Sequence, residues 1–300
     1  MEQLRRFLTQ ENICFEEDLP LARYATLRIG GPAKLAVFPT SKEAVIKLLE
    51  RLSEQDLRYV VIGNASNVLF SDAGYNGVVL FTTQWKETMR SGNELTASAG
   101  VSLPSLSRMA WRESLSGLEF AQGIPGTVGG AVLMNAGAYG GEIGKLCRQS
   151  TCFDADSGKV VTFSGDAQNF GYRTSVYQTN PRYTVLEVRL SLLPDAQERI
   201  LARMEEYAES RRAKQPLDLP SAGSTFRRPE GYFAGKLIED CGLKGYRIGG
   251  AEVSTKHAGF LVNRGGATAA DVLALIESIQ ERVRSTFGVE LHPEIRTVGP

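Results

Sequence analysis

A glycine-rich stretch without charge is the part of the chain whose residue types most suggest ligand binding. Residues 117–142 read GLEFAQGIPGTVGGAVLMNAGAYGGE, and no charged residue lies between positions 120 and 141. Glycine adopts positive φ values at little cost and lets the backbone approach a ligand closely. The segment GIPGTVGG therefore offers several N–H groups that no side chain shields, which is the chemistry of a phosphate or pyrophosphate site. A tight structural turn is the alternative interpretation.

The spacing in this stretch differs from that of the familiar nucleotide loops. GIPGTVG is G-x-x-G-x-x-G rather than the G-x-G-x-x-G of the dinucleotide fingerprint. Neither Gly144-Lys145 nor Gly235-Lys236 has a glycine five residues earlier, so no Walker A loop is present. The polar interruptions also exclude a membrane span, and the glycine density disfavours an ordinary core helix. A nucleotide-like cofactor bound here would need a different architecture.

A second segment combines an apolar run with small polar residues. Residues 57–63, LRYVVIG, are typical of a buried strand, and Asn64-Ala65-Ser66-Asn67 follow directly. Such a turn presents backbone N–H groups together with hydroxyl and amide side chains. A plain Asx turn explains the same residues equally well.

Composition excludes several classes of function. Lys+Arg and Asp+Glu both number 34, so no overall charge attracts nucleic acid or a membrane surface. The four cysteines follow no zinc spacing and only two histidines are present, so we expect no metal. The N-terminal residues lack the apolar core of a signal peptide, and we therefore expect a cytoplasmic protein with reduced thiols.

Hydrophobic periodicity predicts an α+β protein, with short strands and helices interleaved along the chain. The expected elements are a helix within 2–16, two strands within 25–39, a helix opened by a capping box at 40–43, a helix over 104–114, a hairpin with its tip at 156–158, a strand over 182–193, a helix over 195–214, a last helix with Thr268 and Asp271 as its capping box, and a final strand within 289–299.

Six segments carry a resemblance to a known family. They are, in chain order, GNASNVLFSD, GLEFAQGIPGTVGGAVLMNAGAYGGE, FGYRTS, AGSTFRRP, GLKGYRIGGAEVS and HPEIR. With them the chain resembles the UDP-N-acetylenolpyruvoylglucosamine reductases, flavoenzymes that make UDP-N-acetylmuramate for bacterial peptidoglycan. FGYRTS continues directly into VYQTNP, so the chain is similar to the second subtype, which lacks a tyrosine-bearing loop.

The resemblance implies an FAD-binding domain of the vanillyl-alcohol-oxidase type, made of two α+β subdomains (1–80 and 81–194), and a smaller C-terminal α+β substrate domain (195–300). FAD would lie between the two subdomains. Neither histidine falls in the flavin region, so the FAD should be non-covalent. The cofactor-binding residues implied are Gly63, Asn64, Ala65, Ser66, Asn67, Ile124, Pro125, Gly126, Thr127, Gly129, Gly130 and Arg211.

The resemblance also implies the reaction and three catalytic residues. NADPH would reduce FAD, which then passes hydride to the enolpyruvyl ether of UDP-N-acetylglucosamine-enolpyruvate. Arg173 in FGYR would pair with the substrate carboxylate, where negative charge develops. Ser224 in AGS would donate a proton, and Glu294 in PE would hydrogen-bond the carboxylate. Taken singly, each of these residues is explained as well by a structural role.

Four further residues are implied to bind the substrate: Tyr172, Lys214, Arg228 and His257. Arg211 and Lys214 form R-x-x-K-x-P, which in the family lies near the flavin and UDP phosphates; a basic helix end that complements its own dipole is the alternative. His257 stands where other members have glutamine, and Arg228 where the first subtype has asparagine. We expect a monomer without nucleic-acid or membrane partners, active in cell-wall synthesis and through it in cell shape, division and the cell cycle.

Two other functions compete with this interpretation. One is a flavin oxidase of the same fold that uses oxygen, and the other is a non-catalytic module that binds a UDP-sugar or a flavin. If Gly126 and Gly129 serve to bring the backbone close to a pyrophosphate, Gly129→Val should give a folded protein depleted of flavin.

Overall fold

The computed structural model describes all 300 residues, and the chain forms two compact units that are each built from several segments. The first unit contains Met1–Glu17, Leu35–Asn64 and Gly77–Glu209. The second contains Asp18–Lys34, Ala65–Asn76 and Ser210–Pro300. None of the helices combines the length and the apolar character that a membrane crossing requires.

Nine helices and 19 strands form these units, together with four short 3₁₀ turns. The helices are α1 (Glu2–Gln10), α2 (Lys42–Glu54), α3 (Leu103–Arg112), α4 (Val128–Leu133), α5 (Ile143–Leu146), α6 (Val176–Thr179), α7 (Gln197–Lys214), α8 (Ala234–Asp240) and α9 (Ala269–Phe287). The strands are β1 (Cys14–Pro20), β2 (Pro32–Phe38), β3 (Tyr59–Ile62), β4 (Val68–Phe70), β5 (Tyr75–Phe81), β6 (Thr88–Ser91), β7 (Glu94–Ser98), β8 (Leu115–Ser116), β9 (Gly137–Ala138), β10 (Gly141–Glu142), β11 (Cys147–Asp154), β12 (Lys159–Ser164), β13 (Tyr183–Ser191), β14 (Leu193–Pro194), β15 (Ser221–Ser224), β16 (Arg247–Ile248), β17 (Ala251–Val253), β18 (Phe260–Asn263) and β19 (Arg296–Val298).

A four-stranded sheet in the order β1-β2-β5-β3 supports the first cofactor segment. Strand β3 runs parallel to β5, with Tyr59 opposite Val78. Helix α2 buries four apolar residues at helical spacing in the core beside this sheet, as its periodicity predicts: Val45, Leu48, Leu49 and Leu52. Its N-cap is Ser41, whose hydroxyl accepts a hydrogen bond from the Ala44 N–H. The predicted capping box at 40–43 is therefore wrong by one residue.

A five-stranded antiparallel sheet in the order β12-β11-β13-β7-β6 supports the glycine-rich stretch. The predicted hairpin with its tip at 156–158 is confirmed, since Asp154 of β11 pairs with Lys159 of β12. Apolar residues of α3 and α4 share one buried core with this sheet, for example Leu106, Val132 and Leu190. Burial of these side chains, rather than the intrinsic preference of a glycine-rich helix, is what stabilises α4.

The second unit contains a four-stranded sheet in the order β15-β18-β17-β16, packed against α8 and α9. The predicted capping box of the last helix is confirmed, because the Thr268 hydroxyl accepts from the Asp271 N–H and the Asp271 carboxylate accepts from the Thr268 N–H. The final strand is only β19, which pairs in parallel with β4.

Two predictions near the N-terminus are only partly confirmed. The helix expected within 2–16 exists as α1 but ends at Gln10, because Asn12 has φ +52° and the chain then forms β1. Only one of the two strands expected within 25–39 exists, namely β2. Arg28 has φ +56°, a left-handed conformation far from the extended backbone of a regular strand, although its apolar neighbours Leu27 and Ile29 are buried.

Candidate functional site

The end of β3 and the glycine-rich turn lie against each other within the first unit. The Asn64 side-chain amide donates a hydrogen bond to the Pro125 carbonyl at 2.9 Å. A Cβ atom on Gly63 would lie 2.2 Å from Thr127 Oγ1, so only glycine permits this approach. The two segments that the sequence assigns to one cofactor are therefore spatial neighbours.

The backbone after Gly63 presents consecutive hydrogen-bond donors. Ala65 has φ +47°, and the N–H groups of Asn64, Ala65 and Ser66 find no acceptor within the chain. Successive N–H groups around a left-handed residue form a concave site for an anion. The geometry of these residues therefore fits a phosphate or diphosphate group.

The glycines of the following turn have different roles. Gly129 donates its N–H to the Ala99 carbonyl at 2.9 Å, and a Cβ on Gly129 would lie 2.9 Å from the Ala99 Cβ. Gly129 therefore permits close packing within the protein. Gly130 is exposed, and a Cβ there would meet nothing nearer than Thr127 Oγ1 at 3.8 Å. Gly126 accepts from the Leu103 N–H, and Ile124 donates to the Ala121 carbonyl, so both have partners within the protein.

Arg173 lies in a tight turn with left-handed backbone, at φ +54°. Its Nη2 atom donates to the Gly137 carbonyl at 3.1 Å, and its Cζ atom is 5.3 Å from the centroid of the Tyr172 ring. The Tyr172 side chain is 55% exposed. Two buried polar residues beside the turn were not recognised from the sequence: Asn135, which donates to the Gly171 carbonyl, and Ser175, which follows the turn and donates to the Leu133 carbonyl.

Three of the candidate residues meet within the second unit. Ser224 ends β15, is exposed, and donates its hydroxyl to the Phe226 carbonyl at 3.3 Å. The Glu294 N–H donates to the carbonyl of Thr225, the residue after Ser224, at 2.7 Å. The Asn67 side-chain amide donates to the Glu294 carbonyl at 3.1 Å. Residues far apart in sequence thus lie on adjoining backbone segments.

The remaining cationic candidates belong to helix and loop ends. Arg211 and Lys214 lie in the last turn of α7, where positive charge complements the helix dipole. Arg228 donates from Nε to the Tyr232 carbonyl at 3.2 Å, and its Cζ atom lies 3.9 Å from the centroid of the Phe233 ring. Arg228 is therefore held against its own loop. A cavity of about 440 Å³ in the second unit is lined by none of the candidate residues.

His257 is a neutral hydrogen-bonding residue in this structure. Its Nδ1 atom accepts from the Gly259 N–H at 3.1 Å, so the neutral ring carries its proton on Nε2. Burial lowers the pKa of the imidazole below its ordinary value and so favours this neutral form. An Nε2–H group is a donor like the amide of glutamine, which is the residue that the resemblance places at this position.

Two family models match the chain. The model described as "UDP-N-acetylenolpyruvoylglucosamine reductase, C-terminal domain" matches residues 215–298. The model described as "FAD binding domain" matches residues 33–164. Together they cover more than half of the chain, and their order along it agrees with the predicted fold class, which is thereby confirmed.

Curated relatives and a solved structure extend the similarity over the whole length. A UDP-N-acetylenolpyruvoylglucosamine reductase of Caldanaerobacter subterraneus is 44% identical over 299 residues, covering 100% of this chain and 98% of the relative. One of Clostridium botulinum (strain Alaska E43) is 43% identical over 284 residues, covering 95% and 93%. The crystal structure of UDP-N-acetylenolpyruvylglucosamine reductase from Thermus caldophilus superposes with a TM-score of 0.79 at 34% identity, covering 95% of this chain and 98% of that one.

Proposed function

Because the chain belongs to the UDP-N-acetylenolpyruvoylglucosamine reductase family, we propose that it reduces UDP-N-acetylglucosamine-enolpyruvate to UDP-N-acetylmuramate with electrons from NADPH. The protein is an oxidoreductase with an FAD-binding domain. The observation that carries the proposal is the 44% identity over the full length of a named reductase.

Residues in the two cofactor segments fit FAD, since consecutive N–H groups and glycines without side chains accommodate a diphosphate. We assign this binding to residues 63–67, to Ile124, Pro125, Gly126, Thr127, Gly129 and Gly130, and to Arg211. When bound and reduced, FAD supplies the hydride for the enolpyruvyl group. Neither His257 nor His292 lies in the cofactor segments, which supports non-covalent binding.

Arg173 is assigned to the substrate carboxylate. Its guanidinium is always charged, and negative charge grows on this carboxylate as hydride adds to the neighbouring double bond. The Gly137 carbonyl and the Tyr172 ring hold the guanidinium in advance, so little reorganisation is needed when the charge develops.

Ser224 is assigned as the proton donor to the carbon next to the carboxylate. A serine hydroxyl is a weak acid, so its contribution depends on position rather than on its pKa. The end of β15 fixes this position, and the hydroxyl is exposed. Glu294 lies beside it on the adjoining backbone and would hydrogen-bond the same carboxylate when protonated.

Tyr172, Lys214, Arg228 and His257 are assigned to the nucleotide sugar. Lys214 and Arg228 supply positive charge for a diphosphate, and His257 supplies a neutral donor. The three-domain division at residues 80 and 194, the monomeric state and the cytoplasmic location stay predictions.

Product analysis tests the proposal. Purified protein is incubated with NADPH and the enolpyruvyl nucleotide, and the nucleotide is followed by mass spectrometry. We expect a product that is heavier than the substrate by two hydrogen atoms, one from hydride and one from a proton. NADPH consumption that needs oxygen and leaves the nucleotide unchanged would instead identify an oxidase. Nucleotide binding without any NADPH consumption would identify a binding module.

A further inference from the structure

The turn that carries Arg173 has a conformation that needs support from its surroundings. Gly171 and Thr174 close it with two backbone hydrogen bonds, of 3.1 Å and 3.2 Å. Arg173 between them has φ +54°, which the Cβ of an L-residue disfavours. Such a backbone persists only when neighbouring groups hold it in place. The direction of the Arg173 guanidinium depends on whatever holds the turn.

Asn135 contacts the carbonyl that closes this turn. Its side chain is 2% exposed, and its Nδ2 atom donates to the Gly171 carbonyl at 2.9 Å. Its Oδ1 atom accepts from the Gly144 N–H at 2.8 Å. Both ends of the amide are therefore used, one as donor and one as acceptor. A carboxylate of the same shape lacks the donor and would place an oxygen against the carbonyl.

A second contact attaches the other side of the turn to the same helix end. The buried Ser175 hydroxyl donates to the Leu133 carbonyl, the last residue of α4, at 2.8 Å. Asn135 lies two residues beyond α4. The turn is thus held on both sides by residues at the C-terminal end of α4, before Arg173 through Asn135 and after it through Ser175.

We propose that Asn135 is a positioning residue for Arg173, because its amide holds the Gly171 carbonyl and with it the left-handed turn on which the guanidinium lies. The inference rests on the function proposed above, in which Arg173 pairs with the substrate carboxylate. Asn135 donates to the Gly171 carbonyl rather than to the guanidinium, so its effect on catalysis would pass through the backbone of residues 171–174.

Asn135→Asp is the variant of choice, since it keeps the acceptor for the Gly144 N–H and removes the donor to Gly171. Asn263→Asp is the matched control. Asn263 is 8% exposed, donates from Nδ2 to the Leu27 carbonyl at 3.0 Å and accepts from the Gly265 N–H at 2.9 Å. The Asn263→Asp variant therefore loses the same kind of hydrogen bond, but in the second unit rather than in the unit that contains the Arg173 turn.

Two measurements are made on the FAD-loaded variants. Hydrogen exchange, followed by mass spectrometry, should show faster exchange over residues 170–176 in Asn135→Asp and wild-type exchange there in Asn263→Asp. In anaerobic single turnovers, Asn135→Asp should slow flavin reoxidation by the enolpyruvyl nucleotide by about 10–100-fold, the effect of a displaced catalytic group. Flavin reduction by NADPH should stay at the wild-type rate. Asn135→Asp combined with Arg173→Ala should be no slower than Arg173→Ala alone.

The outcomes separate this inference from the proposed function. If Arg173→Ala leaves reoxidation unchanged, the proposed role of Arg173 is wrong, whatever the exchange data show. If Arg173→Ala slows reoxidation but Asn135→Asp changes neither exchange nor reoxidation, Asn135 does not position Arg173. Equal effects of Asn135→Asp and Asn263→Asp on residues 170–176 also contradict the inference. Should Asn135→Asp fail to fold, the same measurements on Asn135→Ser decide between these outcomes.

Discussion

Gly129 and Gly130, adjacent glycines in the first turn of α4, should respond in opposite ways to the same added methyl group. A Cβ on Gly129 would lie 2.9 Å from the Ala99 Cβ, whereas carbon atoms pack best at roughly 3.5–4.0 Å. The start of α4 must therefore move by several tenths of an ångström. A Cβ on Gly130 would have only the Thr127 hydroxyl near it, at 3.8 Å, an ordinary contact.

The magnitudes follow from packing and helix propensity. Overpacking in a core typically costs about 1–3 kcal/mol. Replacing a helical glycine by alanine returns up to about 1 kcal/mol. Because the gain in helix propensity is common to both positions, we expect the Gly129→Ala apoprotein to be less stable than the Gly130→Ala apoprotein by about 1–3 kcal/mol, and Gly130→Ala to be at least as stable as wild type.

Flavin binding should show the opposite ranking. Gly130 is exposed and belongs to the proposed FAD site, so a methyl group there would meet the bound cofactor rather than the protein. We expect Gly130→Ala to weaken FAD binding at least about tenfold, equivalent to about 1.4 kcal/mol. Thermal unfolding of both apoproteins and titration of flavin fluorescence measure the two effects. Gly130→Ala with wild-type FAD affinity would refute the assigned contact, and equal stabilities of the two apoproteins would refute the packing argument.

Three further predictions concern single side chains. Ser224→Ala should leave flavin reduction by NADPH within about tenfold of wild type but slow reoxidation by the enolpyruvyl nucleotide about 10²–10⁴-fold. Anaerobic single turnovers measure both phases, and equal slowing of the two would indicate a displaced flavin instead. His257→Gln should keep nucleotide affinity, and its free energy of unfolding should fall less than that of wild type as the pH drops from 7 to 5. The reason is that the pKa of His257 is lower in the folded than in the unfolded chain, so protonation favours the unfolded chain. The same pH dependence of the melting temperature in variant and wild type would contradict this. Arg203→Ala should destabilise the fold by about 1–3 kcal/mol at pH 7, because the buried Glu119 carboxylate loses its hydrogen bonds from the guanidinium. Burial opposes ionisation of Glu119, yet the hydrogen bonds from Arg203, Gly117 and Ser116 outweigh it and lower its pKa, so this stabilisation is present near neutral pH and falls as the pH drops through the folded-state pKa; an equal loss at pH 3 and pH 7, measured by denaturant unfolding, would count against it.

The sequence predicts best where one local rule decides the structure. The last helix has both an apolar stripe and a capping box, and both are confirmed. The hairpin tip at 156–158 is marked by turn residues and is confirmed as well. By contrast, residues 25–31 carry alternating apolar residues but form no strand, because Arg28 and Gly30 have positive φ. Tertiary contacts impose these positive φ values, and the hydrophobic periodicity of the sequence carries no information about them.

The candidate site shows the same division. The glycine-rich stretch and the turn after β3 are neighbours in the structure, but sequence alone could not show that Gly129 packs against Ala99 while Gly130 is exposed. That distinction depends on Ala99, which follows the end of β7 some thirty positions earlier in the chain. It revises the expectation that Gly129→Val would fold normally. Asn135 was not predicted, because a single asparagine after an apolar run forms no recognisable sequence motif. Its contribution is visible only from its hydrogen bonds with Gly171 and Gly144.

Anaerobic stopped-flow absorbance of the flavin tests the central claim most directly. The protein is first reduced with a stoichiometric amount of NADPH and then mixed with the enolpyruvyl nucleotide in the absence of oxygen. We expect the yellow absorbance to bleach with NADPH and to return with the nucleotide at a rate that saturates with its concentration. A flavin that NADPH bleaches but that only oxygen reoxidises would contradict the proposed function.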